Sequence, residues 1–381
     1  MICRVERKRT NGLPMMKAWK LIALVCSLAL WLPLCACSGA DREALLKEAT
    51  EALATADPVM GDWEGSWILN DETDYGPLVA QVIALGKGEY RANLDREFDQ
   101  ARPPLTVLKG QREGAAVKLT GQAALPDSGT QLELRVTIQD GSFKGRFKGQ
   151  DPSGQEVAGT FTLKKTVRLS STLGTKPPAN AVVLFDGTNP DQWKHISSKP
   201  GQNQVQWKLV EGGAMEAKPG AGSIITKREF ADVKLHLEFR TPFMPEARGQ
   251  GRGNSGVYLQ GRYEVQILDS YGLEGRDNEC GGIYSVAQPM VNMCAPPTQW
   301  QTYDITFRAA RFNDAGEKTR NASLSVLHNG IQIHYNVQVP KPTTAAPYNT
   351  EAGPGGIYLQ DHGNPVRYRN IWLVELPEAN P

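Results

Sequence analysis

The chain has 381 residues, of which 40% are hydrophobic and 22% charged, with a formal net charge of +1. That length allows two or three domains, each with its own hydrophobic core, and the near-neutral balance removes any electrostatic case for binding nucleic acid. Thirty-eight glycines and 25 prolines, with few long helical patterns, favour an all-β architecture.

The N-terminus reads as an address. Lys17 and Lys20 precede an apolar run from Leu21 to Leu34, a charged region followed by a hydrophobic one. The run is short for a membrane span. It ends in Leu34-Cys35-Ala36-Cys37-Ser38, which resembles a bacterial lipobox with Cys37 as the lipidated residue. Cys35 fits less well, because Leu34 stands where a small residue is wanted. Residues 1–37 are therefore expected to be a lipoprotein signal, with plain secretion or an uncleaved anchor as the alternatives. Ser38 rather than aspartate after the cysteine points to an exported outer-membrane lipoprotein, facing the periplasm or the cell surface. Its partner there would be the membrane, through the lipid.

Of six cysteines, removal of the signal and lipidation leave Cys280 and Cys294. In an oxidising compartment two cysteines this close read as a disulfide. The loop closure would be worth about 3 kcal/mol in the entropic account.

From Asp41 to Ala56 the residues Leu45, Ala49, Leu53 and Ala56 recur at helical spacing, so 38–60 is expected to be a helical spacer. Residues 61–168 read as a small β-domain, a barrel or meander punctuated by Gly110, Gly121, Gly141, Gly149, Gly154 and Gly159. Trp63, Trp67, Phe143, Phe147 and Phe161 are its core candidates. The composition of 169–180, with Ser170, Ser171, Pro177 and Pro178, is that of a linker. Residues 181–376 alternate apolar and polar in several runs: Val233 to Arg240, Tyr263 to Ile267, Tyr303 to Arg308 and Ile331 to Val339. Asn329-Gly330 separates two runs with a type I′ hairpin signal. Stacking the apolar faces predicts a β-sandwich.

The polar sides of these strands are unusual. His236, Glu238 and Arg240 share one side; Glu264 and Gln266 share another; Tyr358, Gln360 and His362 a third. Carboxylates, amides, histidine and tyrosine together suit a polyhydroxylated ligand. A solvated sheet face with cross-strand ion pairs is the alternative.

Several motifs in order resemble the 3-keto-disaccharide hydrolase family over about residues 180–376. They are Leu184-Phe185-Asp186-Gly187 with Trp193 downstream, the stretch from Gly253-Asn254-Ser255-Gly256-Val257-Tyr258 to Asp269-Ser270, then Cys280-Gly281-Gly282-Ile283-Tyr284, Trp300 to Asp304, Gly356 to Gly363 and Arg369-Asn370-Ile371-Trp372. The resemblance implies a concanavalin A-like jelly-roll sandwich and cleavage of glycosides oxidised to a ketone at C3, by hydrolysis or by elimination and hydration. Such chemistry needs a base, an acid and a group that stabilises an enolate. On that expectation Glu264 is the base or a metal ligand, Glu238 its partner, and His362 an acid or base or a second metal candidate, with room for a divalent metal as cofactor. Arg240 or Arg262 would stabilise the enolate. Asn254, Gln266, Tyr358 and Gln360 would hold hydroxyls, and Asp269 would shape the site or cap a turn. A non-catalytic carbohydrate-binding module, an ordinary glycoside hydrolase and an envelope scaffold are the competing readings.

Overall fold

The computed structural model describes residues 39–125, 128–196 and 203–378. The signal segment 1–37 and its lipidation candidate Cys37 lie outside the described residues. The chain is nearly all β.

Eight antiparallel strands form a closed meander barrel: β1 (Gly61–Leu69), β2 (Asp74–Gly86), β3 (Glu89–Asp95), β4 (Thr106–Glu113), β5 (Ala116–Ala124), β6 (Gln131–Gln139), β7 (Ser142–Gln150) and β8 (Glu156–Thr166), with β8 returning to β1. Side chains alternate between interior and solvent, without exception along β6. The interior is filled rather than hollow. Trp67 meets Phe147 edge-on, with centroids 5.5 Å apart, and Trp63, Phe143 and Phe161 complete the aromatic cluster. A Cβ at Gly145 would stand 2.1 Å from the Phe161 ring, so glycine there lets the ring lie across the neighbouring strand.

Helix α1 (Gly39–Ala56) is docked on the fold. Leu53 is buried in the barrel core, while Leu45 packs on Leu173 of the connector 169–180 and on Ala214 and Trp300 of the following domain. Glu48 accepts a hydrogen bond from Trp300 Nε1 at 2.8 Å. The linker-like residues 169–180 also pack: Leu173 is buried, Ser170 and Thr172 each bond the Thr302 hydroxyl at 2.7 Å, and the Gly174 N–H donates to Glu238 Oε1 at 2.7 Å.

The second domain is a jelly-roll sandwich of β9 (Val182–Phe185), β10 (Trp193–His195), β11 (Lys208–Val210), β12 (Ala214–Glu216), β13 (Ile224–Thr226), β14 (Val233–Arg240), β15 (Ser255–Leu259), β16 (Tyr263–Ile267), β17 (Gln301–Arg308), β18 (Arg311–Phe312), β19 (Lys318–Arg320), β20 (Ala322–His328), β21 (Ile331–Val339), β22 (Tyr358–Leu359) and β23 (Arg367–Glu375). One sheet runs β10-β13-β22-β15-β16. The other runs β11-β12-β23-β14-β17-β20-β21, with β9 beside β23, and β18 and β19 form a separate pair. Between the sheets Leu235, Leu237 and Phe239 of β14 join one core with Val257, Leu259, Tyr263, Val265 and Ile267 of β15 and β16. Asn329 and Gly330 both take positive φ, 53° and 83°, as the hairpin signal requires.

The barrel touches this sandwich directly. Its Ile83 is 3% exposed and belongs to the sandwich core, Tyr271 Oη donates to Asp62 Oδ1 at 2.6 Å, and Asn93 Nδ2 donates to the Gly272 carbonyl at 2.7 Å.

The disulfide expected between Cys280 and Cys294 is not formed: both are buried free thiols. The two thiols lie beside each other and interact directly, Cys280 Sγ also meeting the Tyr303 hydroxyl at 3.2 Å and Cys294 Sγ the Leu268 carbonyl at 3.5 Å. Apolar packing and these weak bonds hold the loop where a cross-link was expected.

Candidate active site

The site is built on the outer face of the five-stranded sheet. Because Val257, Leu259, Tyr263, Val265 and Ile267 point into the core, alternation turns Gly256, Tyr258, Glu264 and Gln266 outward. The register then aligns one row across all five strands: Lys194 opposite Ile225, Ile225 opposite Tyr358, Tyr358 opposite Tyr258, and Tyr258 opposite Glu264. Paired residues share a face, so an aromatic pair stands beside one carboxyl. Tyr258 and Tyr358 meet edge to face, 4.9 Å apart at 88°.

Glu264 is 2% exposed, yet among the described residues no arginine or lysine pairs with it. Burial pushes its pKa up to about 8, and only the Tyr258 hydroxyl works against that shift. The same hydroxyl accepts a hydrogen bond from Gln360 Nε2 at 3.1 Å, giving the chain Gln360–Tyr258–Glu264. A Cβ at Gly256 would lie 2.4 Å from Glu264 Oε1, so the glycine makes the space the carboxyl occupies. Beside it Gln250 Oε1 accepts from Gln266 Nε2 at 3.0 Å and from Asn254 Nδ2 at 3.1 Å. Asn254 Oδ1 is buried without a partner among the described residues. A buried carboxyl whose pKa is raised thus sits among amides and aromatic rings, an arrangement able to exchange a proton with a polar ligand.

A profile of the 3-keto-alpha-glucoside-1,2-lyase-like domain matches residues 180–374, half of the chain. The chain belongs to this family. Among solved structures, one from Parabacteroides distasonis ATCC 8503, described as a candidate glycosyl hydrolase, is 32% identical and covers 53% of this chain and 86% of its own, with a TM-score of 0.48. A second candidate glycosyl hydrolase from that organism is 16% identical and covers 52% of this chain and 95% of its own, with a TM-score of 0.38. No curated protein matches. The barrel lies outside the matched residues.

Within the lyase-like domain, Glu264, Asn254, Gln266, Tyr358 and Gln360 come together. The other expected residues do not join them. Glu238 and Arg240 lie on β14, facing away from the core on the opposite sheet. There Glu238 takes bonds from Arg369 Nε at 2.7 Å, the Gly174 N–H at 2.7 Å and Asn370 Nδ2 at 2.9 Å. Burial would raise its pKa, but His236, Arg369 and Asn370 overcome that and hold it down to about 2. His236, bonded through Nδ1 to Asp304 at 2.8 Å, is raised to about 9 against the opposing effect of burial. Both side chains are buried and held by partners on the opposite sheet. Arg240 stacks on Trp300, 5.0 Å from its ring centre. Arg262 is spent on Gln260 Oε1 at 2.9 Å and on the carbonyls of Ala352 and Gly353, tying down a loop. Asp269 pairs with Arg252 at 2.6 Å, and burial raises its pKa. His362 is exposed, beyond the end of β22. Among the described residues no three His, Cys, Asp or Glu gather as a metal cluster around Glu264, His362 or elsewhere.

Sequence reasoning passed over Tyr258, Gly256 and Gln250. Tyr258 and Gly256 sit inside the motif stretch 253–270 and alternate with Val257 and Leu259, which was the available signal. Gln250 lies in the 3₁₀ turn Gly249–Gly251, where no periodicity points to a face.

Proposed function

We propose that the chain cleaves glycosidic bonds of 3-keto-glycosides by elimination followed by hydration, with Glu264 as general base. A ketone at C3 acidifies the hydrogen on C2. Glu264 takes that proton, the electron pair forms the C1–C2 double bond, and the C1–O bond breaks, releasing the alcohol as its oxygen gains a proton. Water then adds its hydroxyl to C1 and a proton returns to C2, giving the free 3-keto sugar. Tyr258 orients the carboxyl, Gln360 and Gln266 donate their remaining amide N–H groups to hydroxyls or the developing enolate oxygen, and Asn254 Oδ1 accepts from a sugar hydroxyl. The observation that carries this reading is the buried Glu264, raised to about 8 beside Tyr258 with no cation paired to it among the described residues. One mobile proton on one carboxyl suits α-proton abstraction better than the paired carboxyls of ordinary glycosidases.

The test compares a 3-keto-disaccharide with its unoxidised parent, with and without chelator, in D2O. Cleavage of the oxidised sugar alone, with deuterium entering C2 faster than in the enzyme-free product, is the expected result. Cleavage of the parent would indicate an ordinary glycosidase, and binding without cleavage a carbohydrate-binding module. The reaction belongs at the cell envelope if Cys37 carries lipid. Labelled palmitate should enter the chain and be lost in Cys37→Ser.

A further inference from the structure

A cleft of about 870 Å³ opens between the barrel and the sandwich, away from Glu264. It falls within the roughly 300–1,000 Å³ of small-ligand sites. Its floor is the outer face of β2–β4, where the register sets Gln81 opposite Asn93 and Asn93 opposite Val107. Its far wall is the loop beginning at Gly272 and Leu273.

Three features bear on what would fit there. First, polar groups are left over. Gln81 is half-buried with no partner among the described residues, and Asn93 Oδ1 and Arg91 Nε are buried without one. Second, five amide side chains line the cleft, together with exposed apolar surface at Val107 and Leu273 (38% and 39%). Amides beside aliphatic patches match the hydroxyls and C–H faces of a sugar. Third, six carboxylates face three arginines, so an anionic ligand would be repelled. The cleft also abuts the catalytic wall: Gln250, which holds Gln266 and Asn254, donates through Nε2 to the Asn278 carbonyl at 2.7 Å, and Asp277 and Glu279 on either side of Asn278 line the cleft.

We propose that this cleft is a second carbohydrate site, taking the distant units of a neutral oligosaccharide, with the barrel supplying the Gln81–Asn93 floor. It gives the barrel a role in substrate length, which the matched domain alone would lack. The assignment to distant units of the substrate, and so the role in substrate length, rests on the sugar-cleaving role of the Glu264 site.

The test is calorimetric titration of the Glu264→Gln chain with cello- and malto-oligosaccharides of two to six units, beside a sulfated oligosaccharide. Affinity should rise with length in at least one neutral series, and the sulfated probe should bind more weakly. Gln81→Leu, which removes no side-chain hydrogen bond among the described residues, and Gln81→Leu/Asn93→Ala should weaken the longest neutral ligand about tenfold, the loss expected for about one hydrogen bond to a buried group. In the Glu264-containing chain the same changes should leave turnover of a short 3-keto-disaccharide within about twofold. Unchanged oligosaccharide affinity in both variants, or no neutral oligosaccharide binding at millimolar concentration, overturns the cleft as a glycan site. Turnover of the short substrate, read in parallel, reports separately on Glu264.

Discussion

A carboxyl as buried as Glu264 weakens the fold whenever it ionises. Its pKa rises from 4.5 to about 8 on folding, so the folded state holds the proton more tightly than the unfolded chain. That contribution is full below about pH 4.5 and is lost as pH climbs through 8. Glu264→Gln, which cannot ionise, should therefore melt at a higher temperature than the parent, with the gap wider at pH 8 than at pH 5; calorimetry at the two values checks this. Catalysis should move the other way. As a base Glu264 works only when ionised, so kcat/KM should rise with pH, bend near 8 and level above it, and Glu264→Gln should lower kcat by about 10²–10⁴. A profile that falls through pH 8 would make the group an acid. Alternation along single strands exposed Glu264, Gln266, Tyr358 and Gln360 as outward residues, but it exposed His236, Glu238 and Arg240 equally well. A sandwich has two outward faces, and period-two patterning carries no sign of which sheet a strand joins. Only the register separates a carboxyl whose pKa burial raises from one neutralised by Arg369.

At the scale of elements, α1 shows the same division. Leu45, Ala49 and Leu53 mark a helix with one apolar stripe, and nothing in that spacing says what the stripe covers. In the fold it straps both domains: Leu53 is 1% exposed in the barrel core, and Glu48 bridges Trp300 and Arg369. Leu53→Ala should cost about 2–5 kcal/mol in denaturant melts, the range of buried leucine truncations. A free spacer would lose almost nothing. Residues 169–180 were read as linker from prolines and serines, yet Ser170, Thr172 and Gly174 complete bonds to Thr302 and Glu238. Small polar residues suit a buried connector as well as a solvated one, so composition does not separate the two cases. The barrel strands were legible from alternation, as along β6, but less so from glycine: Gly110, Gly121, Gly149 and Gly159, which read as punctuation, lie inside β4, β5, β7 and β8, and a Cβ at Gly159 would stand 2.6 Å from the Phe147 ring.

At the scale of the whole molecule, barrel and sandwich share a core through Ile83, with Tyr271 bonded to Asp62 beside it. Calorimetry of the chain should show one cooperative transition. Ile83→Asp, which forces an unpaired charge into apolar packing, should destabilise by about 3 kcal/mol or more and split that transition in two. Two transitions in the unaltered chain would refute the coupling. The shared isoleucine also bears on inheritance. A recombination event crossing over within 169–180 would strand Ile83 on one descendant and leave a hole in the other, so lineages that exchange only one half start at a disadvantage. The barrel and the lyase-like domain should be transmitted as a single block of sequence, changing at their seam in concert.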